Sequence, residues 1–144
     1  MCLIDQIISW DDNELIAHSR SHHDNNNPLR NNLLSNSHSL SSIIGIEYAA
    51  QTMAIHAGLL AKKENQGRPN KNNLGGYLAT TRKVVISSNS LCPPDTEPFA
   101  ALVIQVSVLM RDTQGYTYQF NIHSQHVNII SGQLTIFLVP SSES

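Results

Sequence analysis

The sequence predicts an α+β domain in which a curved antiparallel sheet wraps around one long central helix. Three observations support this fold class. The chain has 144 residues, which is long enough for a single hydrophobic core but not for two. One long apolar helix is predicted near the middle of the chain, with two strands before it and four after it. A helix that is apolar on nearly every side needs a curved sheet around it and something else that covers the remainder. Residues 1–144 are expected to form a single domain.

The segment Ser42–Lys63 is predicted to form the central helix because it is rich in Ala, Leu, Met and Gln and contains no proline. Ser41 or Ser42 can cap its start, and the two lysines at its end suit the negative end of the helix dipole. One apolar face is predicted to consist of Ile43, Ile46, Ala50, Met53, Ala57 and Leu60. Further apolar residues spread over most of the circumference, which predicts a buried helix.

The predicted strands are segments that are rich in β-branched and aromatic residues and are bounded by turn signals. They are residues 3–10, 14–22, 77–86, 99–110, 116–123 and 127–139. The segment Ser87–Pro98 is predicted to be a loop or an excursion at the sheet edge because its three prolines cannot donate ladder hydrogen bonds. A hairpin turn is predicted at residues 112–115, with Gly115 placed for a positive φ.

The composition excludes several classes of function. The formal net charge is −2, so the chain has no basic excess of the kind that binds nucleic acid or an anionic membrane. Cys2 and Cys92 are too few and too far apart in sequence for a disulfide framework or a zinc site. The N-terminus lacks the features of a signal peptide, and no run approaches the roughly 18 apolar residues that a membrane span needs. A reduced cytoplasmic protein without a membrane span is therefore expected.

Glu47 is the residue of the predicted helix that most needs an explanation. It lies in the first turns, where burial would strip water from its carboxylate, and buried carboxylates rarely lack a partner or a task. Gln51 lies one helical turn later on the same face. The ordinary alternative is an acid that the helix dipole favours in the first turn and whose head group stays at the surface.

Two motifs resemble the bacterial beta-hydroxyacyl-acyl-carrier-protein dehydratase-like hot-dog proteins. The run Gly45-Ile-Glu-Tyr-Ala-Ala-Gln51, followed by Ala57-Gly-Leu59, resembles the central helix of that family, in which Glu and Gln stand four residues apart. The segment Leu74–Arg82 is similar to the family's Leu-Gly-x-Leu-x-Gly-Thr-Arg segment. The resemblance covers nearly the whole chain. It implies the hot-dog fold and a homodimer in which two sheets join edge to edge.

The chain departs from the family at one catalytic position. In the well-studied dehydratases of this group, the segment before the helix supplies a catalytic histidine, and the matching position here is Leu33. Two of the histidines before Glu47 are candidates for this role, His38 and His23, which precede it by 9 and 24 residues. Either one would require an unusual loop path to reach Glu47.

The resemblance and the helix pattern together assign roles to five residues. Dehydration needs a base, an acid and donors that hold the thioester oxygen. Glu47 is predicted to be the catalytic acid or base, and Gly45 to let the thioester carbonyl approach the N–H groups at the helix start. Gln51 is predicted to orient the carboxyl group or to bind the substrate. Tyr77 and Arg82 are predicted to line the substrate channel or to contact the phosphate of a pantetheine arm; strand packing and a surface charge are the plain alternatives.

The remaining histidines are predicted to have structural roles. Two groups of histidines could in principle bind a metal ion: His18 with His22 and His23, and His123 with His126. The first group lies on a predicted exposed strand, and no cysteine or carboxylate has a suitable spacing, so no metal site and no cofactor are predicted. His56 lies on the helix and is predicted to be a packed residue or a dimer contact.

Three functions are compatible with these residues. The first is a dehydratase that acts on acyl thioesters of acyl carrier protein or coenzyme A in fatty-acid or related biosynthesis. The second is a non-catalytic hot-dog subunit that binds acyl thioesters or pairs with an active dehydratase. The third is a hot-dog thioesterase in which Glu47 acts with water as the nucleophile. The expected assembly is a homodimer, a higher oligomer of dimers, or a hetero-oligomer with another hot-dog subunit.

Overall fold

The computed structural model describes residues 3–24, 41–65, 74–112 and 115–140. These residues form one long helix and six strands. The elements are β1 (Gln6–Trp10), β2 (Glu14–Ser19), α1 (Gly45–Asn65), β3 (Leu74–Ile86), β4 (Leu102–Arg111), β5 (Gly115–Ser124) and β6 (Val127–Pro140). Two short 3-10 turns lie at Ser21–His23 and Ser42–Ile44. The predicted order of two strands, one helix and four strands is confirmed.

All six strands belong to one antiparallel sheet with the order β1-β2-β4-β5-β6-β3. The inner face of this sheet packs against α1, mainly through β2, β4 and β5. Strands bury every second side chain, because successive residues point to opposite faces of a sheet. The buried inward residues include Leu15, Ala17, Leu102, Ile104, Val106, Tyr118, Phe120, Ile122, Leu134 and Ile136. They form one core with the helix residues Tyr48, Ala49 and Met53.

The helix α1 is buried on one side only. Its outward side carries the exposed residues Glu47 and Gly58, and Ile55 and Leu59 are half-buried. The sheet of one chain therefore covers one face of the helix, and the predicted cover of the remaining face stays a prediction. Ser42–Glu64 is long and apolar enough to cross a membrane by length and composition, with a mean hydropathy of 1.2. Half of that window is buried inside the fold, as in the core helix of a folded domain.

Two backbone details differ from the sequence predictions. Phe99 adopts a φ of 63°, and β4 begins at Leu102 rather than at residue 99. Gly115 has no positive φ, so that prediction is wrong. The glycine is needed instead because a Cβ at this position would lie 2.1 Å from the backbone oxygen of Ile136 on β6. The hairpin is closed by Asp112, whose N–H donates to the Gly115 carbonyl over 3.0 Å.

Strand β3 lies at the edge of the sheet and pairs with β6 on one side. Within the described part of the chain, no strand pairs with its other side. Its last residues are exposed, with Val85 at 56% and Ile86 at 47%. The register shifts between Arg82 and Val85, and Lys83 has a φ of 54°. In the described residues, β3 therefore presents an outer edge without a strand partner, with a bulge near its end.

His123 gives the fold a pH dependence. Its pKa is lowered because partial burial disfavours the imidazolium and because His18 lies nearby. As the pH falls through the ordinary histidine pKa of about 6.5, His123 therefore binds a proton more readily in the unfolded chain than in the folded chain. Protonation then favours the unfolded chain, so the free energy of unfolding falls. We expect His123→Gln to reduce this loss by less than about 1 kcal/mol, since solvent screens a partly buried ring.

The measurement is urea unfolding of wild type and His123→Gln at neutral pH and near pH 5. The variant should lose less stability than wild type between the two conditions. His126→Gln is the matched control because its side chain is exposed. An equal loss in wild type and His123→Gln would contradict the assignment.

Candidate functional site

Glu47 lies in the first turn of α1, and its side chain is exposed. The expectation of a buried, poorly hydrated carboxylate is therefore wrong for the single chain. The sheet covers the opposite face of the helix, where Tyr48 and Met53 are fully buried. Ile43 precedes Glu47 by one turn and is 39% exposed. The outward face of the helix start thus places an acid beside an apolar side chain.

The N–H groups at the start of the helical segment already have acceptors. Ser41 caps this end, as one of the two predicted caps, and its hydroxyl accepts from the N–H of Ile43 over 3.4 Å. The N–H of Ile44 donates to the Ser41 carbonyl over 3.1 Å, and the N–H of Ser42 donates to Asn89 O over 3.0 Å. These groups therefore do not offer the predicted binding site for a thioester carbonyl.

Gly45 faces the sheet rather than a substrate. A Cβ at this position would lie 3.0 Å from Ile130 Cγ2 and 3.1 Å from Ile122 Cδ1. The missing side chain thus allows the helix start to pack closely against β5 and β6. Gly45 is buried against the core, and its predicted role at the substrate carbonyl stays a prediction.

Gln51 holds the N-terminal segment against the helix. Its Oε1 accepts a hydrogen bond from the N–H of Leu3 over 2.7 Å. Leu3 is buried, and its carbonyl accepts from the Ser21 hydroxyl over 2.8 Å. The side-chain oxygen of Gln51 therefore helps to hold the fold together, and the predicted roles of orienting Glu47 or binding substrate stay predictions.

Tyr77 and Arg82 both lie on the edge strand β3, where they pair with Leu138 and Gln133 of β6. The side chain of Arg82 is exposed, as expected for a surface charge. Their roles in a substrate channel stay predictions. Leu33 and His38 lie outside the described residues.

His56 is a packed residue, which confirms one of its two predicted roles. It is fully buried, and both ring nitrogens have partners. Nε2 lies 2.7 Å from the carbonyl of Asp11, and Nδ1 lies 2.7 Å from the hydroxyl of Tyr118. Because a carbonyl can only accept, Nε2 carries the proton and Nδ1 accepts from the tyrosine.

The helix start and the end of β3 are neighbours. Ile86 of β3 pairs with Ile130, whose side chain packs against Gly45. The hydrogen bond from Ser42 N to Asn89 O joins the helix to the segment that follows β3. Glu47 therefore lies at the same end of the fold as the exposed end of the edge strand.

A cleft of about 940 Å³ lies at the opposite end of α1. It is lined by Trp10, Asp11, Asp12, Asn13, Leu59, Lys62 and Lys63. Asp12 and Lys63 form an ion pair across it with a distance of 2.8 Å. This charged, open cleft is distant from Glu47 along the helix and is not the predicted acyl tunnel.

Three residues that are distant in sequence come together near the helix start. His22 and His23 lie in the 3-10 turn after β2, not on an exposed strand as predicted, and His22 is buried. Cys92 comes from the loop after β3, and its Sγ lies 3.7 Å from His23 Nδ1. The expectation that no cysteine accompanies these histidines is wrong, because it considered sequence spacing alone. The prolines around Cys92 signal a loop but not its path.

Comparison with known families matches the whole chain. Residues 1–144 match the model of the ApeP-like family, which is described as ApeP dehydratase. None of the curated protein sequences matches the chain.

Several solved structures are similar in fold. One is the dehydratase heterocomplex ApeI:P from Xenorhabdus doucetiae, with 21% identity, a TM-score of 0.75, and coverage of 98% of this chain and 85% of that chain. A mutant thioesterase from Pseudomonas aeruginosa has 10% identity and a TM-score of 0.54, and the match covers 93% of this chain and 80% of that chain. A hypothetical thioesterase from Streptococcus pneumoniae, solved with coenzyme A, has 11% identity and a TM-score of 0.51. The match covers 94% of this chain and 85% of that chain. These similarities confirm the predicted hot-dog fold.

Proposed function

We propose that this chain, which belongs to the ApeP-like family of dehydratases, is one subunit of an enzyme that removes water from β-hydroxyacyl thioesters. The observation that carries the proposal is the position of Glu47, which is exposed in the first turn of α1 at the end of the fold where β3 also ends. Such a site is open in a single chain and becomes enclosed when a second subunit covers it. The proposed substrate is carried by acyl carrier protein or coenzyme A, and the proposed location is the cytoplasm.

The reaction breaks one C–H bond and one C–O bond. A base removes a proton from the carbon next to the thioester carbonyl, and an acid gives a proton to the hydroxyl group on the following carbon. The products are an enoyl thioester and water. Glu47 is assigned the acid role. The base and the donors to the thioester oxygen are assigned to the covering subunit, because Leu33 replaces the usual histidine and the N–H groups at the helix start are already used.

Two features support assembly with a second hot-dog subunit. The similar structure from Xenorhabdus doucetiae is a dehydratase heterocomplex. In the part of this chain that the structure describes, the outer edge of β3 has no partner, and Val85 and Ile86 are exposed there. An exposed edge strand is a template for pairing with another chain. A homodimer is the alternative assembly, and light scattering of the purified chain distinguishes the two.

The test is Glu47→Gln in the assembled protein. The chain is purified alone and together with a co-expressed hot-dog dehydratase subunit from the same source, and both samples receive a β-hydroxyacyl carrier thioester. We expect the variant assembly to form enoyl product at least about 100-fold more slowly, since a positioned acid contributes about 10²- to 10⁴-fold. The amide keeps the size of the side chain but has no acidic proton to give.

Glu64→Gln is the matched control, because Glu64 is an exposed acid in the last turn of the same helix. It should leave turnover unchanged. Unchanged turnover in Glu47→Gln would contradict the catalytic role and favour a non-catalytic subunit. Release of free thiol from a saturated acyl thioester, without enoyl product, would instead favour a thioesterase.

A further inference from the structure

We propose that His22, His23 and Cys92 form a binding site for one zinc ion. Each residue offers a donor atom that zinc takes in proteins, an imidazole nitrogen or a thiolate sulfur. The donor atoms of the three residues all lie within 4.8 Å of one another. The site joins the 3-10 turn after β2 to the loop between β3 and β4. None of its residues belongs to the proposed dehydratase machinery, so the inference stands independently of it.

The distances suit a tetrahedral ion. Zinc binds sulfur at about 2.3 Å and nitrogen at about 2.1 Å, which separates the two donors by about 3.6 Å at a tetrahedral angle. The observed distance between Cys92 Sγ and His23 Nδ1 is 3.7 Å. The rings of His22 and His23 lie side by side, with centroids 3.8 Å apart. A shift of about 1 Å in the His22 ring would bring the third donor into range.

The hydrogen bonding of His23 selects its donor atom. Nε2 lies 2.9 Å from the carbonyl oxygen of Ala100. A carbonyl only accepts, so Nε2 carries the proton in the neutral ring and Nδ1 holds the lone pair. That lone pair faces Cys92. Metal-binding histidines commonly donate their other ring N–H to a backbone carbonyl in this way, which fixes the ring orientation.

The turn that carries the histidines is held firmly. The N–H of His23 donates to Arg20 O and the N–H of Asp24 donates to Ser21 O, both over 3.0 Å. The Ser21 hydroxyl lies 2.8 Å from the hydroxyl of Tyr48 on α1. Ligands on a fixed turn lose little conformational freedom when an ion binds.

The loop that carries the cysteine is also held. The N–H of Cys92 donates to the Ser90 hydroxyl over 2.9 Å, and Ser90 forms a β-bridge with Ser41 before the helix. The neighbouring Leu91 is fully buried in the core. Both ligand segments are therefore anchored near the start of α1, one through Tyr48 and the other through Ser41.

The donor set selects the kind of metal. Two imidazoles and one thiolate disfavour calcium and magnesium, which require oxygen ligands. They suit zinc, which is borderline soft and accepts mixed nitrogen and sulfur ligands. His23 and Cys92 are only partly buried, so water can supply the fourth ligand. The site therefore has three protein ligands and one position that is open to solvent.

The rival explanation is a simple hydrogen bond from the Cys92 thiol to His23. It accounts for the 3.7 Å contact and for the hydrogen bond to Ala100. It does not involve the third donor residue, the buried His22, whose donor atom lies within 4.8 Å of the other two. A zinc site accounts for all three residues.

The test is titration of the purified full chain, first stripped with a chelator, with cobalt(II) and then with zinc. Cobalt bound through a thiolate gives a sulfur-to-metal charge-transfer band in the near ultraviolet. We expect one ion per chain, loss of that band when zinc is added, and a zinc-induced rise in Tm. Cys92→Ser should abolish the band and weaken zinc binding at least about tenfold, and His23→Gln should weaken zinc binding by a similar factor.

Two controls keep the test decisive. Cys2→Ser removes the other thiol of the chain, and His126→Gln removes an exposed imidazole. Both should bind the metals as wild type does. The proposal is overturned if wild type binds less than one ion, if Cys92→Ser retains the band, or if zinc raises the Tm of Cys92→Ser as much as that of wild type. Failure of both wild type and Cys2→Ser to bind either metal would favour the rival explanation.

Discussion

Replacing His56 with Ala is expected to lower the free energy of unfolding by about 3 to 5 kcal/mol, a large part of the roughly 5 to 15 kcal/mol that holds a typical domain folded. His56 is fully buried, and its ring connects α1 to Asp11 in the β1–β2 turn and to Tyr118 on β5. The ring also makes an edge contact with Trp10. Alanine would remove these contacts and leave a cavity between helix and sheet.

The two hydrogen bonds of the His56 ring increase the loss of unfolding free energy that is expected for His56→Ala. Burial raises the pKa of the Tyr118 phenol, so the hydroxyl stays protonated and donates to His56 Nδ1. Without the imidazole, that hydroxyl would be buried without its acceptor, at a cost of about 1 to 3 kcal/mol. The carbonyl of Asp11 is less affected because Asp11 is exposed and water can replace the ring. The His56–Tyr118 bond is therefore the costlier of the two to break.

Urea unfolding of four proteins measures this effect: wild type, His56→Ala, Tyr118→Phe and the double variant. Tyr118→Phe keeps the ring and removes only the hydroxyl, so it should cost less than His56→Ala. The double variant should cost less than the sum of the two single variants, because both remove the same hydrogen bond. A loss below about 1 kcal/mol in His56→Ala, typical of a surface change, would contradict the packing described for this residue.

Gly115→Ala is expected to destabilise the chain by about 3 kcal/mol or to prevent folding. The added Cβ would lie 2.1 Å from the backbone oxygen of Ile136 and 3.2 Å from the Cα of Phe137. Both atoms belong to the backbone of β6, which cannot turn aside as a side chain can. The clash can therefore be removed only by separating β5 from β6 near Gly115, which breaks ladder hydrogen bonds near the centre of the sheet.

Gly58→Ala is the matched control for this prediction. Gly58 lies in the exposed part of α1, and among the described atoms nothing would lie within 4 Å of its added Cβ. Alanine in a helix interior is favoured over glycine by about 0.5 to 1 kcal/mol, so this variant should be more stable than wild type. Thermal unfolding followed by circular dichroism compares the two. Equal Tm values for Gly115→Ala and wild type would show that β6 accommodates the methyl group.

Hydrophobic periodicity predicted the element order and the α+β class, because the pattern records which positions face a core. It failed on the outward side of α1. Ile55 and Leu59 on that side are apolar enough to be buried and are only half-buried, and Glu47 is exposed. Periodicity shows that a helix surface is apolar enough to be buried. It does not show whether residues of the same chain pack against that surface.

The site residues were harder to predict for a related reason. Gly45 and Gln51 match a family motif, yet their contacts in this chain are with the core and with Leu3. A motif records residue types and leaves the direction of each side chain open. The contact between His23 and Cys92 joins residues 69 positions apart through a loop, and no local pattern encodes the path of such a loop.

The exposed end of β3 has a consequence for the life of the chain inside a cell. Val85 and Ile86 would be presented to other proteins whenever this subunit is made in excess of whatever normally covers them. Orphan copies would then be natural clients of chaperones and proteases, and recombinant yields should rise when the companion polypeptide is synthesised alongside. If the proposed assembly forms, the supply of the covering subunit would therefore limit the amount of this protein that accumulates.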